Sequence, residues 1–390
     1  MSEYGLEAEL KVYSTALQGQ SEWPWPLLPE DWREAARKVL KPGPFGYVDG
    51  GAGLEDTMQA NRAAFAKYAI RSRMLRNVSD RDLSISLFDR PLPVPVLLAP
   101  IGVQSIIHPD AELASAKASA KHGIPFILST VSSVPMEQVA DAMGDATRWF
   151  QLYPGKDKRI VRSFMERAKQ SGYAAIVVTL DTTMLGWRPI DLKNVYLPFL
   201  QGEGIANFVS DPIFQSRLQQ SPAQNPAAAI EEFLKVYVNP SFAWDDLAEL
   251  RMWTDLPLLV KGITHPHDAK RAKEMGIDGV IVSNHGGRQV DGGIASLDAL
   301  TEVREAVGDD YLVLFDSGIR CAADVYKAIA LGAQAVLLGR PYAYALAVGG
   351  QMGVEEMLGQ WKGELDLQLA LSGYSRVRDI HGDYVTQRNG

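Results

Sequence analysis

The sequence predicts an α/β protein with a TIM (β/α)8 barrel, and two observations carry that prediction. From Pro93 onward, short apolar runs alternate with longer amphipathic stretches, the pattern of parallel strands joined by crossover helices. Eight runs follow one another, several apolar throughout, as strands buried on both faces are. Eight units in series fit a closed barrel better than the alternative, a large open sheet. The predicted strands cover residues 94–100, 124–130, 148–153, 174–181, 257–262, 279–284, 311–318 and 335–340.

Helix-like segments follow seven of the eight runs, and glycine tends to end them, as helix C-termini favour. Residues 1–92 are expected to form an N-terminal helical cap, which ends in the glycine-rich turn 50–53 and a helix over 55–67. Together with a barrel over 93–390, this cap makes residues 1–390 a single predicted domain. The clearest barrel helices are predicted over 109–122, 134–143, 158–172, 265–276, 296–307 and 322–332.

One connection is much longer than the others. Asp181 and Pro257 are 76 positions apart, whereas Asp316 and Gly339 are 23 apart. The excess lies in the proline-rich residues 194–243, after the fourth strand. Barrel enzymes place their chemistry at the carboxyl ends of the strands, so this insertion is predicted to be a long active-site lid. The alternative is a surface insertion that serves oligomer contacts.

Composition excludes several classes of function. Asp and Glu (47) outnumber Lys and Arg (39), which argues against nonspecific binding to nucleic acid and against attraction to anionic lipid. The single cysteine excludes an internal disulfide and a Cys-based zinc or iron–sulfur site. No apolar run is long enough for a membrane-spanning helix, and no signal-peptide pattern is visible. We expect a cytoplasmic protein with no nucleic-acid or membrane partner.

Polar residues collect where the predicted strands end. Each has an ordinary explanation on its own, such as a helix cap or a satisfied hydroxyl inside the barrel. Their concurrence at one rim predicts a catalytic site there. They are Ser129, Thr130, Gln151, Tyr153, Thr179, Asp181, Lys261, Ser283, Asn284, His285, Arg288, Asp316, Ser317, Arg320, Gly339 and Arg340.

The last two strand ends predict a phosphate site. Gly318 and Gly339 allow backbone N–H groups to approach a ligand closely, while Arg320 and Arg340 supply charged donors. Loops after strands seven and eight are where barrels usually bind phosphate. The alternative is that both arginines are structural residues at helix starts. The sequence has no Walker A motif and no G-x-G-x-x-G after a strand.

The end of strand six is the densest cluster. His285, followed by two glycines and Arg288, could place a general base and an anion receptor on one substrate. Asp181 is expected to pair with the imidazole and raise its pKa. No metal site is predicted, because His265 and His267 are typical of a helix start.

These motifs resemble the FMN-dependent L-α-hydroxy acid oxidising family, which includes glycolate oxidase, lactate oxidase, lactate 2-monooxygenase and flavocytochrome b2. The resemblance runs from about Tyr47 to Arg376. It implies a TIM barrel with FMN at the carboxyl rim, its phosphate on Gly318, Arg320, Gly339 and Arg340. The motifs are residues 150–153 (FQLY), 180–182 (LDT), 185–188 (LGWR), 259–262 (LVKG), 283–289 (SNHGGRQ) with Asp291, and 315–320 (FDSGIR).

The resemblance also implies a role for each matching residue. Arg188 and Arg288 would bind the substrate carboxylate, with Tyr47 and Tyr153 as the active-site tyrosines. His285 would be the base, Asp181 its partner, and Lys261 the lysine beside flavin N1. The remaining flavin contacts would be Pro100, Ile101, Gly102, Ser129, Gln151, Thr179, Ser283 and Asp316.

Two features are most similar to the monooxygenase members: Gly102, where the oxidases have alanine, and residues 196–214. They imply oxidation of L-lactate, or a similar small L-2-hydroxy acid, by O2 to acetate, CO2 and water. The first alternative is an oxidase that releases pyruvate and hydrogen peroxide, and a cytochrome- or quinone-linked dehydrogenase has less support. From a different class, the barrel could bind a phosphorylated ligand without redox chemistry. A homo-oligomer, tetramer or octamer, is implied by the family alone.

Overall fold

The computed structural model describes residues 3–388 and contains the predicted closed barrel. All eight predicted strands are present; the fifth keeps its predicted length one position later in the chain, and the others are one to four residues shorter than expected. Neighbouring strands are parallel, and the last strand pairs with the first through Val336–Val96 and Leu338–Leu98, which closes the barrel. The strands are β1 Val96–Leu98, β2 Phe126–Ser129, β3 Arg148–Leu152, β4 Ile176–Thr179, β5 Leu258–Ile263, β6 Gly279–Val282, β7 Leu312–Phe315 and β8 Ala335–Leu338.

Two apolar layers hold the barrel together. Side chains alternate between the two faces of a strand, so each strand contributes to both layers. The outer layer packs the strands against the surrounding helices. The inner layer fills the barrel, and the hairpin formed by Ile85–Leu87 and Arg90–Leu92 contributes to it, with Phe88 5.8 Å from Trp149 between ring centroids. The inner layer is a packed core that includes Leu97, Ile127, Trp149, Val177, Leu259, Ile281, Leu314 and Leu337.

The helices agree with the predicted order. The N-terminal cap contains helices Tyr4–Tyr13, Pro29–Val39, Pro42–Asp49 and Asp56–Ala66, and strand Tyr68–Ile70, which follows them, pairs antiparallel with Val385–Gln387. No bounds were predicted for a helix after β8. The structure has a long one there, Arg340–Leu371, kinked at Gly349 and Gly350. The predicted barrel helices are Ala111–His122, Met136–Met143, Lys158–Gln170, Pro266–Glu274, Ser296–Val307 and Ala322–Ala330.

The insertion after β4 is a packed structure with little loose chain. It contains the short helices Pro198–Gln201, Ala206–Val209 and Pro212–Gln215 and the longer Pro226–Val236, and helix Trp244–Met252 follows it. Its buried aromatic rings pack on one another and on the barrel helix Lys158–Gln170, with the rings of Phe208 and Phe164 4.9 Å apart. Phe199 and Tyr237 face the cavity described below. Most of the insertion therefore covers the barrel wall, and a smaller part reaches the site.

One buried carboxylate fixes this insertion. Asp211 has no exposed surface, and its side chain accepts hydrogen bonds from Arg167 Nη1 (3.1 Å) and Ser163 Oγ (2.6 Å) of the barrel helix. It also caps the helix Pro212–Gln215 through the N–H groups of Ile213 and Phe214. Within residues 3–388, no helix combines the length and the apolar character needed to cross a membrane.

We predict that Asp211→Ala destabilises the fold by about 3 kcal/mol, because it leaves Arg167 without its buried partner and removes a helix cap. Urea unfolding followed by circular dichroism measures the change. The matched control is Glu137→Ala, which removes a partner of the same arginine whose side chain is 44% exposed. The control should lower the free energy of unfolding by less than about 1 kcal/mol. Equal decreases in the two variants would contradict the role of Asp211 in fixing the insertion.

Candidate active site

A cavity opens at the carboxyl ends of the barrel strands. It has about 1090 Å³ of empty space, its open mouth included. Its walls come from strand ends, from the cap and from the insertion. The predicted site residues that line it are Tyr47, Pro100, Ile101, Gly102, Tyr153, Arg188, Lys261, His285, Arg288, Asp316, Gly318, Arg320, Gly339 and Arg340.

The other five predicted residues lie at the strand ends around these walls. Ser129, Gln151, Thr179 and Ser283 are almost fully buried, and Asp181 is partly buried. Ser129 Oγ donates to Gln151 Oε1 (2.9 Å). Within residues 3–388, Gln151 Nε2 and Thr179 Oγ1 are buried without a hydrogen-bond partner. Buried polar groups are rarely left without a hydrogen bond, so these two side chains indicate a polar ligand at the carboxyl end of the barrel.

A buried lysine, Lys261, lies on the strand next to Thr179. Lys261 Nζ donates to Ser283 Oγ (2.8 Å) and lies 3.2 Å from Asp316 Oδ2. Burial disfavours its charge, but Asp316 and Asp181 more than offset this and raise its pKa above the ordinary value. Lys261 is therefore an ammonium group at the cavity wall and favours negative charge on a ligand there.

Two arginines that follow β7 and β8 also line the cavity. Burial lowers the pKa of the Arg320 guanidinium to about 10, which leaves it charged at neutral pH. Arg340 donates to the backbone carbonyls of Val48, Gly286 and Gly50 at 2.9–3.1 Å. Arg340 is therefore partly a structural residue at a helix start, which was the alternative to a phosphate site. It also lines the cavity.

The loop between these arginines and the cap is tightly packed. Gly318 has φ +88°, and a Cβ there would lie 2.8 Å from the carbonyl oxygen of Asn61, so only glycine fits. Two guanidiniums beside glycine-rich turns form the donor set expected for a phosphate. Together with the unpartnered Gln151 Nε2 and Thr179 Oγ1 and the ammonium group of Lys261, this donor set fits FMN, whose phosphate and ring system need these two kinds of contact.

His285 and Asp181 form a close pair. The Nδ1–H of His285 donates to Asp181 Oδ1 (2.7 Å), and Thr182 Oγ1 donates to the same oxygen (3.0 Å). Burial opposes the ionisation of Asp181, but His285, Lys261 and the hydrogen bonds lower its pKa to about 2. Because Nδ1 is engaged, the imidazole has its Nε2 available to a substrate.

Opposing effects set the pKa of His285, and their net result is a decrease. Burial lowers this pKa below its ordinary value of 6.5, and the positive charges of Lys261 and Arg188 add to the decrease. Asp181 does raise it, as predicted, but by less. The imidazole is therefore neutral at neutral pH and able to accept a proton.

Two more arginines face the same cavity. Arg188 is 92% buried, and Arg288 is desolvated enough that its pKa falls to about 9, with Arg188 and Arg340 contributing. The Arg288 guanidinium lies 5.1 Å from the ring centroid of Tyr47 and donates to the carbonyl of Gly50 (2.8 Å). Burial raises the pKa of Tyr153, so its hydroxyl stays protonated. Two desolvated like charges favour an anion between them.

Further residues, which were not predicted from the sequence, also line the cavity. Leu185, Phe199, Tyr237 and Val131 are among its apolar wall. Phe199 and Tyr237 lie inside the predicted lid, but nothing in the sequence separates them from its other aromatic residues. Gly102 is held against Val131: a Cβ at Gly102 would lie 2.7 Å from the Val131 carbonyl oxygen.

The two remaining candidate histidines are structural. His265 Nδ1 accepts from the backbone N–H of His267 (3.1 Å) and begins helix Pro266–Glu274, as predicted. Within residues 3–388, no group of three or more His, Cys, Asp or Glu side chains is arranged to hold a metal ion.

Comparison with known proteins agrees with the resemblance. The sequence model of the FMN-dependent dehydrogenase family matches residues 36–387. An L-lactate oxidase of Lysinibacillus sphaericus is 41% identical over 367 residues, 94% of each chain. An L-lactate dehydrogenase of Pectobacterium atrosepticum is 39% identical over 371 residues, 92% of this chain and 96% of that one.

The solved structures agree as well. The crystal structure of mandelate oxidase superimposes with a TM-score of 0.83 at 35% identity, covering 94% of this chain and 99% of that one. Both the barrel and the family inferred from the motifs are therefore confirmed. The chain belongs to the FMN-dependent dehydrogenase family and is an FMN-dependent enzyme.

Proposed function

We propose that this FMN-dependent α-hydroxy acid-oxidising enzyme acts on L-lactate, or on a similarly small L-2-hydroxy acid. Its oxidant is O2, and its products are acetate, CO2 and water. The observation that carries the proposal is the arrangement of Arg188 and Arg288 beside the His285–Asp181 pair in one cavity. The second candidate is an oxidase that releases pyruvate and hydrogen peroxide. A non-redox phosphate-binding barrel is not compatible with membership of the family.

The arginines provide the carboxylate site. Guanidinium groups bind carboxylates through paired hydrogen bonds, and these two face the cavity from different loops. The phenols of Tyr47 and Tyr153, which also line the cavity, add neutral donors. A bound 2-hydroxy acid is thereby held with its hydroxyl toward His285, which limits the orientations of its Cα–H bond.

His285 provides the base. Its Nε2 accepts the hydroxyl proton of the substrate, and Asp181 stabilises the imidazolium that forms. When bound, FMN would supply the acceptor for the hydride equivalent, the Cα hydrogen and two electrons, that leaves the substrate. Lys261 holds a positive charge at the cavity wall, where it favours the negative charge that this transfer delivers.

The apolar wall favours a small substrate side chain. Phe199 and Tyr237 are 2% and 7% exposed, and each packs closely on the ring of Phe233. Tyr153 packs edge-on against Tyr237 at 5.5 Å between ring centroids. These rings support one another and leave less freedom to admit a bulky group, so we favour the methyl group of lactate over a phenyl group.

The attachment of the insertion supports retention of the product. Asn207, fully buried, donates to the carbonyl of Thr130 (3.1 Å) and accepts from Met136 N–H (2.8 Å), and Ser105 Oγ donates to Glu203. An insertion fixed in this way slows the departure of the 2-oxo acid, so that hydrogen peroxide formed from O2 in the same site can convert it to acetate, CO2 and water before release. Gly102 and residues 196–214 point the same way by their similarity to monooxygenase members.

We predict that L-lactate under air gives one acetate and one CO2 for each O2 consumed. Free peroxide can also decarboxylate pyruvate in solution, so the assay is run with and without catalase. Acetate made within the enzyme persists in the presence of catalase. Stoichiometric peroxide without catalase, and pyruvate in place of acetate with it, would establish the oxidase candidate.

For substrate preference, we expect kcat/KM for L-lactate to exceed that for L-mandelate at least tenfold, since the packed aromatic wall must move to admit a phenyl ring. Anaerobic flavin reduction by each acid gives the comparison without involving oxygen. Faster reduction by L-mandelate would refute the small pocket while leaving the catalytic assignment unchanged.

The His285–Asp181 pair predicts a pH dependence. The neutral imidazole is the active form, so kcat/KM falls as pH falls through the pKa of His285, which lies below 6.5. Asp181→Asn removes a group that raises this pKa, so the acid limb moves to lower pH while the rate also falls. A limb that moves to higher pH would contradict this arrangement.

The companion variant His285→Ala should slow anaerobic flavin reduction by about 10²–10⁴, the usual contribution of a positioned base. An unchanged flavin absorbance of the purified variant is the control for cofactor binding. Reduction within tenfold of the wild-type rate would show that His285 is not the base.

A further inference from the structure

We infer that Gln289 is a positioning residue for substrate binding, whose side-chain amide fixes Arg188 and the loop that carries Asp181 in one geometry. The inference rests on the proposed function, since it concerns the carboxylate site. Gln289 ends the 283–289 motif and does not line the cavity, so it acts through its neighbours.

The amide of Gln289 uses its full hydrogen-bonding capacity. Its Oε1 accepts from Arg188 Nη2 (2.8 Å) and from the backbone N–H of Gly186 (3.2 Å). Its Nε2 donates to the carbonyls of Asp181 (2.7 Å) and Met184 (2.8 Å). A primary amide offers two hydrogens and two lone pairs, so every position is filled by a partner of the right kind. The opposite amide orientation would place donors against donors and oxygen against oxygen.

The two loops are in direct contact around this amide. A Cβ at Gly186 would lie 2.5 Å from the carbonyl oxygen of Arg288, so the backbones leave no room for a side chain. Arg188 Nε donates to that same carbonyl (3.1 Å). Gln289 thus joins the loop after β4 to the loop after β6, and each loop supplies one arginine of the carboxylate site.

Removing the Gln289 amide should disturb the position of Arg188 more than that of the base His285. Arg188 is repelled by Arg288, and Gln289 Oε1 supplies a neutral acceptor that holds its Nη2 in place. The Asp181 carboxylate keeps its own bonds to His285 and Thr182. Arg188 contacts the substrate in both the ground and the transition state, so its displacement raises KM with little change in kcat.

The chain offers a matched control at the opposite end of the barrel. Gln334 Oε1 also accepts from an arginine, Arg304 Nη2 (2.7 Å), and from a backbone N–H, that of Val313 (2.7 Å), while its Nε2 donates to the Tyr311 carbonyl (3.2 Å). Gln334, Val313 and Tyr311 lie at the starts of β7 and β8, and Arg304 reaches them from the helix Ser296–Val307, far from the carboxyl rim. The control therefore loses three hydrogen bonds of the same kinds, against four at Gln289, with no link to the cavity.

The experiment compares Gln289→Met with Gln334→Met as FMN-loaded enzymes. Oxalate, a small carboxylate with no oxidisable hydrogen, is titrated by its effect on the flavin spectrum, and KM and kcat for L-lactate are measured in parallel. We expect Gln289→Met to raise the Kd of oxalate and KM by about tenfold or more, the usual effect of losing a hydrogen bond to a charged group. Its kcat should stay within threefold, and Gln334→Met should change Kd and KM less than twofold.

A double-mutant cycle tests whether Gln289 acts through Arg188. In an Arg188→Met background, Gln289→Met should change the Kd of oxalate less than twofold, because the arginine it positions is gone. A full additive effect there, an unchanged Kd in the single variant, or equal effects at Gln289 and Gln334 would overturn the inference. Should Gln289→Met not fold, Gln289→Asn keeps an amide that cannot reach all four partners and should raise Kd in the same direction.

Failure of the inference is distinguishable from failure of the proposed function. Wild-type turnover of L-lactate tests the function, whereas oxalate binding tests the carboxylate site without turnover. A wild-type enzyme that binds oxalate but does not oxidise L-lactate would disprove the substrate assignment alone.

Discussion

The site depends on the alternation of side chains along eight buried, parallel strands. Each strand that places an apolar residue inside the barrel places the residue two positions later on the same face, at the rim. Because the barrel is closed, residues on this face can only pack inside it or face the cavity. The inner residues Ile127, Trp149, Val177, Leu259, Ile281 and Leu314 are followed in this way by Ser129, Gln151, Thr179, Lys261, Ser283 and Asp316.

The same alternation explains what the sequence could predict. Strand boundaries were close, and the polar strand ends met at one rim, because both follow from local pattern and from parallel pairing. The contact between His285 and Asp181 could be anticipated, since β4 and β6 both end at the carboxyl rim with only β5 between them. The net decrease in the pKa of His285 could not be anticipated, because it depends on burial by many residues and on Lys261 and Arg188 together.

Other features are set by contacts between distant parts of the chain. Asn61 of the cap and Asn284 of the rim exchange a pair of amide hydrogen bonds, each 2.8 Å long. The carbonyl of Gly50 accepts from both Arg288 and Arg340. Nothing in the local sequence marks a backbone carbonyl as a partner for two arginines, and the aromatic packing of residues 194–243 is equally nonlocal. The cap is thus part of the site, and it brings Tyr47 to the cavity wall.

These carbonyl contacts bear on the charge of the site. A chain of net charge −8 gathers Arg188, Arg288, Arg320, Arg340 and Lys261 around one cavity. Neutral acceptors such as Gly50 and Gln289 orient the guanidiniums without cancelling their charge, whereas a carboxylate in the same place would neutralise them. Asp181 and Asp316 form their close contacts with His285 and Lys261 rather than with these arginines. The arginines around the cavity therefore keep their positive potential for anionic ligands, a phosphate and a carboxylate.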